Sequence, residues 1–245
     1  MQQVLPGKKG VYLYETTGTN VLHPNGRFSV VFKGIESETR QPVVIKQLHP
    51  RHRGNSAEWK RFRREFEAHP GLSFLPAHME WIEFENHFFI IREFIPGVDF
   101  RNFISTSAGK KIKTIEEKIR FFIFLCQTVQ QLHESGFIHG DIKPSNFIIQ
   151  QKEQKPEIKM IDLGLAGKRE EFSKSTRDEN SPLPFAFHYS APELMLNHPQ
   201  LVCEATDVFS LGIMLYEWLN GSPAWFNQHP AALTNLQLTQ PLPKS

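Results

Sequence analysis

The chain has 245 residues, 40% of them apolar and 12% aromatic with 21 phenylalanines, enough to bury a core and too much for a disordered chain. Lysine and arginine total 28 against 26 aspartate and glutamate, so net charge makes no case for a nucleic-acid partner and none is expected. Two cysteines, Cys126 and Cys203, give neither a disulfide framework nor a zinc-ligand spacing.

That cysteine usage fits a reducing compartment. Met1–Gly10 has no apolar stretch that would act as a signal, and the strongest apolar run, Phe121–Cys126, is too short to span a bilayer. The expectation is a cytoplasmic protein with no membrane span, with delivery into another cell as an effector left open.

In chain order, Val11–Tyr14 alternates as a strand does and Thr16–Asn25 is rich in turn formers. Gly26 then precedes a β-branched run through Ser29, Val31 and Phe32 to Gly34, and Pro42–Lys46 reads as a strand ending in lysine. Arg51, Arg53, Lys60, Arg61, Arg63 and Arg64 crowd one segment. The plain reading is a solvated helix face, and the alternative is a docking or phosphate-binding surface. Within that segment Ser56–Ala68 has helical spacing, with Ser56 placed to cap it and Trp59, Phe62 and Phe66 on one side. Two strands, Met79–Glu85 and Phe88–Phe94, pair across Glu85-Asn86-His87.

From Gly97 the composition turns helical. Asp99–Ser105 reads as a short helix and Lys110–Lys113 as a basic loop. Thr114 and Glu117 form a capping box for a helix over Ile115–Ser135. Its apolar positions are Ile119, Phe122, Ile123, Leu125, Cys126, Val129 and Leu132, and Gly136 supplies a left-handed cap.

The stretch His139-Gly140-Asp141-Ile142-Lys143-Pro144-Ser145-Asn146 organises the rest. Pro144 lacks a backbone donor and biases Lys143 away from helical geometry, so Asp141, Lys143 and Asn146 share a loop. A carboxylate there can take a proton from an alcohol, an amine can neutralise a transferring phosphate, and an amide oxygen can bind a hard cation.

This stretch resembles the catalytic loop of protein kinases, H-R-D-x-x-x-x-N, with Gly140 for arginine. The resemblance extends to Gly26-x-x-Ser29-x-Val31 as a thinned glycine loop and to Val43-Val44-Ile45-Lys46. It includes Asp162-Leu163-Gly164 for D-F-G, Ala191-Pro192-Glu193, and Asp207 opening an apolar helix. The chain is thereby identified as similar to eukaryotic-type Ser/Thr protein kinases over roughly residues 11–225. The fold class implied is α+β and bilobal: an N-lobe of antiparallel strands and one helix over 1–95, and a mainly helical C-lobe over 96–245.

By that resemblance ATP binds with Mg²⁺, or Mn²⁺ in its place, and a protein Ser or Thr hydroxyl accepts the γ-phosphate. Asp141 would be the base and Lys143 would neutralise the γ-phosphate, with Asn146 and Asp162 as metal ligands. Lys46 would pair with the α- and β-phosphates, held by Glu65, with Glu67 and Glu58 as alternative partners. Gly26, Ser29, Val31, Val44 and Ile148 would line the nucleotide site, while the Glu93 carbonyl and Ile95 backbone meet the adenine edge. Arg92 would stand at the back of that pocket, turned to Glu65 or to solvent. Lys168–Phe187 would be the activation segment.

Departures from the family pattern carry their own expectations. Without an arginine at position 140, a phosphate on Ser173, Ser175, Thr176 or Ser181 lacks its usual receiver, and activity independent of such phosphorylation is expected. Ala186 stands where a threonine usually supports the lysine–aspartate pair, at a cost of about 1 kcal/mol. No arginine follows Arg177, so Glu193 lacks its usual partner, and the late C-lobe helices look absent beyond Leu219. A partner or a dimer contact would then cover an apolar end. Two other functions compete: a nucleotide-binding scaffold of the pseudokinase kind, and a small-molecule phosphotransferase of the aminoglycoside-kinase kind. Lys143, Ala191-Pro192-Glu193 and Asp207 weigh against the latter.

Overall fold

The computed structural model describes residues 2–23, 28–52, 56–67, 69, 71–152, 155–163, 165–173, 188–225 and 228–243. The chain divides into two compact units, Met1–Pro96 and Gly97–Ser245. Among the described residues no helix is long and apolar enough to cross a membrane.

The first unit holds strands β1 (Gln2–Pro6), β2 (Val11–Glu15), β3 (Val21–His23), β4 (Ser29–Glu36) and β5 (Pro42–Leu48). Helix α1 (Ala57–Glu67) and strands β6 (His78–Phe84) and β7 (His87–Glu93) complete it. The antiparallel sheet runs β1-β2-β4-β5-β7-β6, with β3 also paired to β4. Alternation along these strands divides their side chains between two faces. One face gathers Leu5, Tyr12, Phe32, Val43, Ile45, Phe89 and Ile91. The other gathers Leu48, Ile90, Trp81 and Phe88 against Trp59, Phe62 and Phe66 of α1. Glu85 and Asn86 have φ of 48° and 59°, the two-residue turn whose twist suits a hairpin.

Strand β1 is not foreseen in the sequence. Its burial pattern leaves only Leu5 inside, so no alternation marks it, and it is held by pairing Gln2–Pro6 with Val11–Glu15. The buried Glu80 of β6 reinforces it, accepting from the backbone N–H groups of Lys8 and Lys9 and from the Tyr12 hydroxyl at 3.0 Å.

The second unit holds β8 (Val98–Asp99), α2 (Phe100–Phe103), α3 (Ile115–Glu134), β9 (Phe137–Ile138), β10 (Phe147–Gln150) and β11 (Glu157–Met160). It continues through β12 (Gly167–Lys168), α4 (Arg169–Ser173), α5 (Pro192–Met195), α6 (Glu204–Asn220) and α7 (Pro230–Thr239). The chain is thus α+β, with an antiparallel sheet in the first unit and a mainly helical second unit. The box at Thr114 and Glu117 forms reciprocally at the start of α3. Phe100, Phe121 and Phe122 surround Trp218 of α6 with ring centroids 5.1–6.5 Å away, and Lys118 Nζ donates to the Trp218 carbonyl at 3.0 Å.

Two expectations need correction here. Ile119 and Ile123 face outward, 42% and 47% exposed, because the buried stripe of α3 runs through Phe121, Phe122, Leu125, Thr128, Val129 and Leu132. Beyond Leu219 the chain is not merely short apolar runs. Helix α7 forms there, with Leu233 buried, and Gln237 Nε2 donates to the His188 carbonyl at 3.4 Å.

Candidate active site

The loop of the second unit is positioned by a single buried carboxylate. Asp207, fully buried on the first turn of α6, accepts the backbone N–H of His139 at 2.8 Å and that of Gly140 at 2.9 Å. His133 Nε2, from the last turn of α3, lies 2.8 Å from the same carboxylate. Two helix ends and the loop backbone thus converge on one side chain. His139 is buried beneath the loop, and its Nδ1 accepts the Asp141 N–H at 3.2 Å.

Above this support Lys143 Nζ contacts the Asp141 carboxylate. Burial holds the Asp141 carboxyl above the ordinary carboxylate range; Lys143 opposes that shift and the charge of Asp162 adds to it. Asn146, almost fully buried, donates its amide nitrogen to the Asp141 carbonyl at 2.8 Å, so the nitrogen end is committed to the loop. Strand β10 then pairs with β11, register Phe147 to Met160, and the Ile161 N–H donates to the Asn146 carbonyl at 2.8 Å. This pairing brings Asn146 and Asp162 to the same end of one hairpin. Asp162 sits at φ 68°, a left-handed geometry that aspartate tolerates better than most residues. Ile148 pairs with Asp99, and a Cβ on Gly97 would lie 2.6 Å from the Ile149 carbonyl, so only glycine allows that approach.

In the first unit Lys46 Nζ lies 2.8 Å from both oxygens of Glu65, and both side chains are buried. The two other glutamates weighed as partners are engaged elsewhere: Glu67 with Arg63 at 2.5 Å and Glu58 with His52 at 3.5 Å. The Ser56 hydroxyl accepts the Trp59 N–H at 3.1 Å, which caps the start of α1, and Trp59, Phe62 and Phe66 pack its inner face against the sheet. Ser29, Val31, Val44 and Lys46 alternate with the residues of the opposite core, so they share the α1 face, with Val31 opposite Lys46 and Ser29 opposite Leu48. Glu93 pairs with Val43, its carboxylate accepts the Ala77 N–H at 3.1 Å, and Ile95 is buried.

Of the two directions expected for Arg92, the structure rules against solvent. It is 6% exposed and so does not reach solvent, and its Nε is buried without a hydrogen-bond partner among the described residues. Gly26, Gly164, Ser175, Thr176, Ser181 and Ala186 lie outside the described residues. Ser173 donates its hydroxyl to the Glu170 carbonyl at 3.0 Å. Glu193, without the arginine usual in the family, accepts from the Thr206 hydroxyl, because the first turn of α6 passes beside it. Tyr189 also carries a polar link, donating to Glu217 at 2.6 Å with Arg101 at 3.4 Å. Thr206 and Tyr189 escaped the sequence reading, since neither residue type at its position marks so distant a contact.

Comparison with known proteins places these features in a family. The profile described as "Protein kinase domain" matches residues 24–244, and the chain belongs to that family. Its relatives are of the serine/threonine class. The chain is 27% identical over 233 residues to the serine/threonine-protein kinase RUNKEL of Arabidopsis thaliana, covering 95% of this chain and 16% of that protein. It is 26% identical over 211 residues to the serine/threonine-protein kinase chk-2 of Caenorhabditis elegans, covering 83% and 43%. It is 29% identical over 229 residues to the human serine/threonine-protein kinase ULK3, covering 89% and 43%. The chain therefore spans less than half the length of each of these relatives.

Proposed function

We propose that the chain transfers the γ-phosphate of ATP to a serine or threonine hydroxyl of a protein substrate, without needing a phosphate on its own 168–187 segment. The observation that carries this reading is the Asp141–Lys143 contact on a loop hung from Asp207. A base that must meet an incoming hydroxyl in one orientation needs a backbone that does not move, and two N–H bonds to a buried carboxylate supply that.

Asp141 accepts the hydroxyl proton as the new P–O bond forms, and its burial keeps it basic enough for that role. Lys143 faces the same carboxylate and offers positive charge where the transferring group passes. When bound, Mg²⁺ or Mn²⁺ would neutralise the phosphate charge, with Asn146 and Asp162 the side chains to hold it. Asn146 fits that task because its nitrogen is spent on the Asp141 carbonyl, which leaves its hard oxygen as the free end of the amide. Lys46, fixed by both oxygens of Glu65, would orient the α- and β-phosphates.

Labelled ATP, Mg²⁺ and a generic protein acceptor, with the chain pretreated with phosphatase, test this. Transfer is expected from the dephosphorylated chain, and Asp141→Asn should lower kcat by about 10²–10⁴-fold with nucleotide affinity nearly unchanged. Nucleotide binding without transfer would favour the scaffold reading, and phosphatase-sensitive turnover would remove the claim of independence.

A further inference from the structure

We propose that Phe172 is a positioning residue for phosphoryl transfer, an apolar anchor that holds the start of the activation segment against the loop beside Gly140. The proposal rests on the protein-kinase reading above and adds to it the means by which residues 165–173 are held against the loop.

Gly140 has φ 72°, a geometry that disfavours any side chain, and its N–H is bound to Asp207. A Cβ at this position would already touch the Leu165 carbonyl at 3.6 Å and the Phe172 ring at 4.0 Å. The same ring faces a second glycine, where a Cβ on Gly167 would come within 3.2 Å of Phe172 Cε2. Phe172 therefore lies against two bare backbones. It also packs against the cluster of Ile138, Leu194 and Val202.

Each of those neighbours belongs to a different working part. Ile138 lies two residues before Gly140 in β9, which pairs with β12 through Gly167 and Lys168. Leu194 follows Ala191-Pro192-Glu193 in α5, and Val202 lies at the approach to α6. One ring thus ties the loop's supporting strand, the start of the segment and the platform after it. The charged contact nearby, Arg169 with Glu204 at 3.3 Å, is exposed at both ends and contributes little. Apolar burial has neither the salt dependence of an ion pair nor any sensitivity to a phosphatase.

The test uses the full chain, treated with phosphatase, with Phe172→Ala and Phe172→Leu. Two readouts are taken: steady-state kinetics with a protein acceptor, and hydrogen exchange along residues 165–173. Phe172→Ala should lower kcat at least tenfold while the KM for ATP stays within twofold. Exchange protection should fall in 165–173 and be kept in α3 and α6. Phe172→Leu should restore kcat to within about threefold of the parent and return the protection. Unchanged kcat in Phe172→Ala, or protection lost equally from α3 and α6, overturns the proposal. If the parent transfers phosphate to no protein, the kinase reading fails alone, and the exchange arm decides the fate of the Phe172 anchor.

Discussion

At the scale of single residues, the most consequential arrangement in the first unit is the Lys46–Glu65 pair. A buried ion pair repays its desolvation only when the geometry is good, and here one ammonium meets both carboxylate oxygens at 2.8 Å. Removing one member leaves a buried charge without its bidentate partner. Glu65→Ala is expected to destabilise the fold by about 3–5 kcal/mol, whereas Lys46→Met combined with Glu65→Leu should recover most of that loss. Urea denaturation of Glu65→Ala and of the double variant would decide this. A double variant no more stable than Glu65→Ala would mean the pair's cost is not electrostatic. The same residues show what a sequence reveals about a site. Asp141, Lys143 and Asn146 are legible because Pro144 forces a loop among them, so their meeting is local. Glu65 could not be separated from Glu67 and Glu58 in the sequence, since the choice depends on which turn of α1 faces β5, and the packing of Trp59, Phe62 and Phe66 on the sheet sets that.

At the scale of elements, α1 and β6 meet through aromatic rings that also titrate. His78 stacks on Phe66 of α1 with planes 3° apart, and His69 lies 4.2 Å from it, centroid to centroid. Burial first, then the charges of His69 and Arg92, push the His78 imidazole down to about 3, with Lys46 adding a little and the Phe66 carbonyl opposing. Since the folded state resists the proton and the unfolded chain takes it near 6.5, stability is full above that pH and falls as pH drops toward 3. At pH 5 the loss from His78 alone is about 2 kcal/mol. His78→Phe keeps the stacked ring and removes the proton site, so it should lose that much less than the parent between pH 7 and pH 5 in urea titrations. Identical losses in both proteins would refute the assignment. Helix α3 gives the contrasting lesson at this scale. Its ends are legible because Thr114 and Glu117 cap it, yet its buried face is not. Ile119 and Ile123 have the right spacing for a core stripe, and only packing against α6 shows that Phe121 and Thr128 are the inner positions.

For the molecule as a whole, the parts that escaped the sequence are those held by distant partners. Strand β1 has one buried residue and no alternation, and it exists because β2 pairs with it and Glu80, 71 positions from Lys9, holds the turn between them, a contact that no local pattern encodes. Helix α7 likewise depends on packing against α5 and not on a strong apolar stripe of its own. The family match begins at residue 24, which would suggest that the segment before it is dispensable. The core argues otherwise. Leu5 is 1% exposed, Tyr12 is equally buried, and both belong to the cluster that contains Phe32, Ile45 and Ile91. Deleting a single buried leucine side chain to alanine costs about 2–5 kcal/mol, and a domain's whole stability is about 5–15 kcal/mol. A chain shortened to residues 24–244 is therefore expected to lose cooperative unfolding or to melt at least ~10 °C lower than the full chain. Leu5→Ala in the full chain should show a smaller fall in the same direction. Calorimetry on the three proteins measures both, and a shortened chain that melts with the parent would place the first hairpin outside the core that contains Phe32, Ile45 and Ile91.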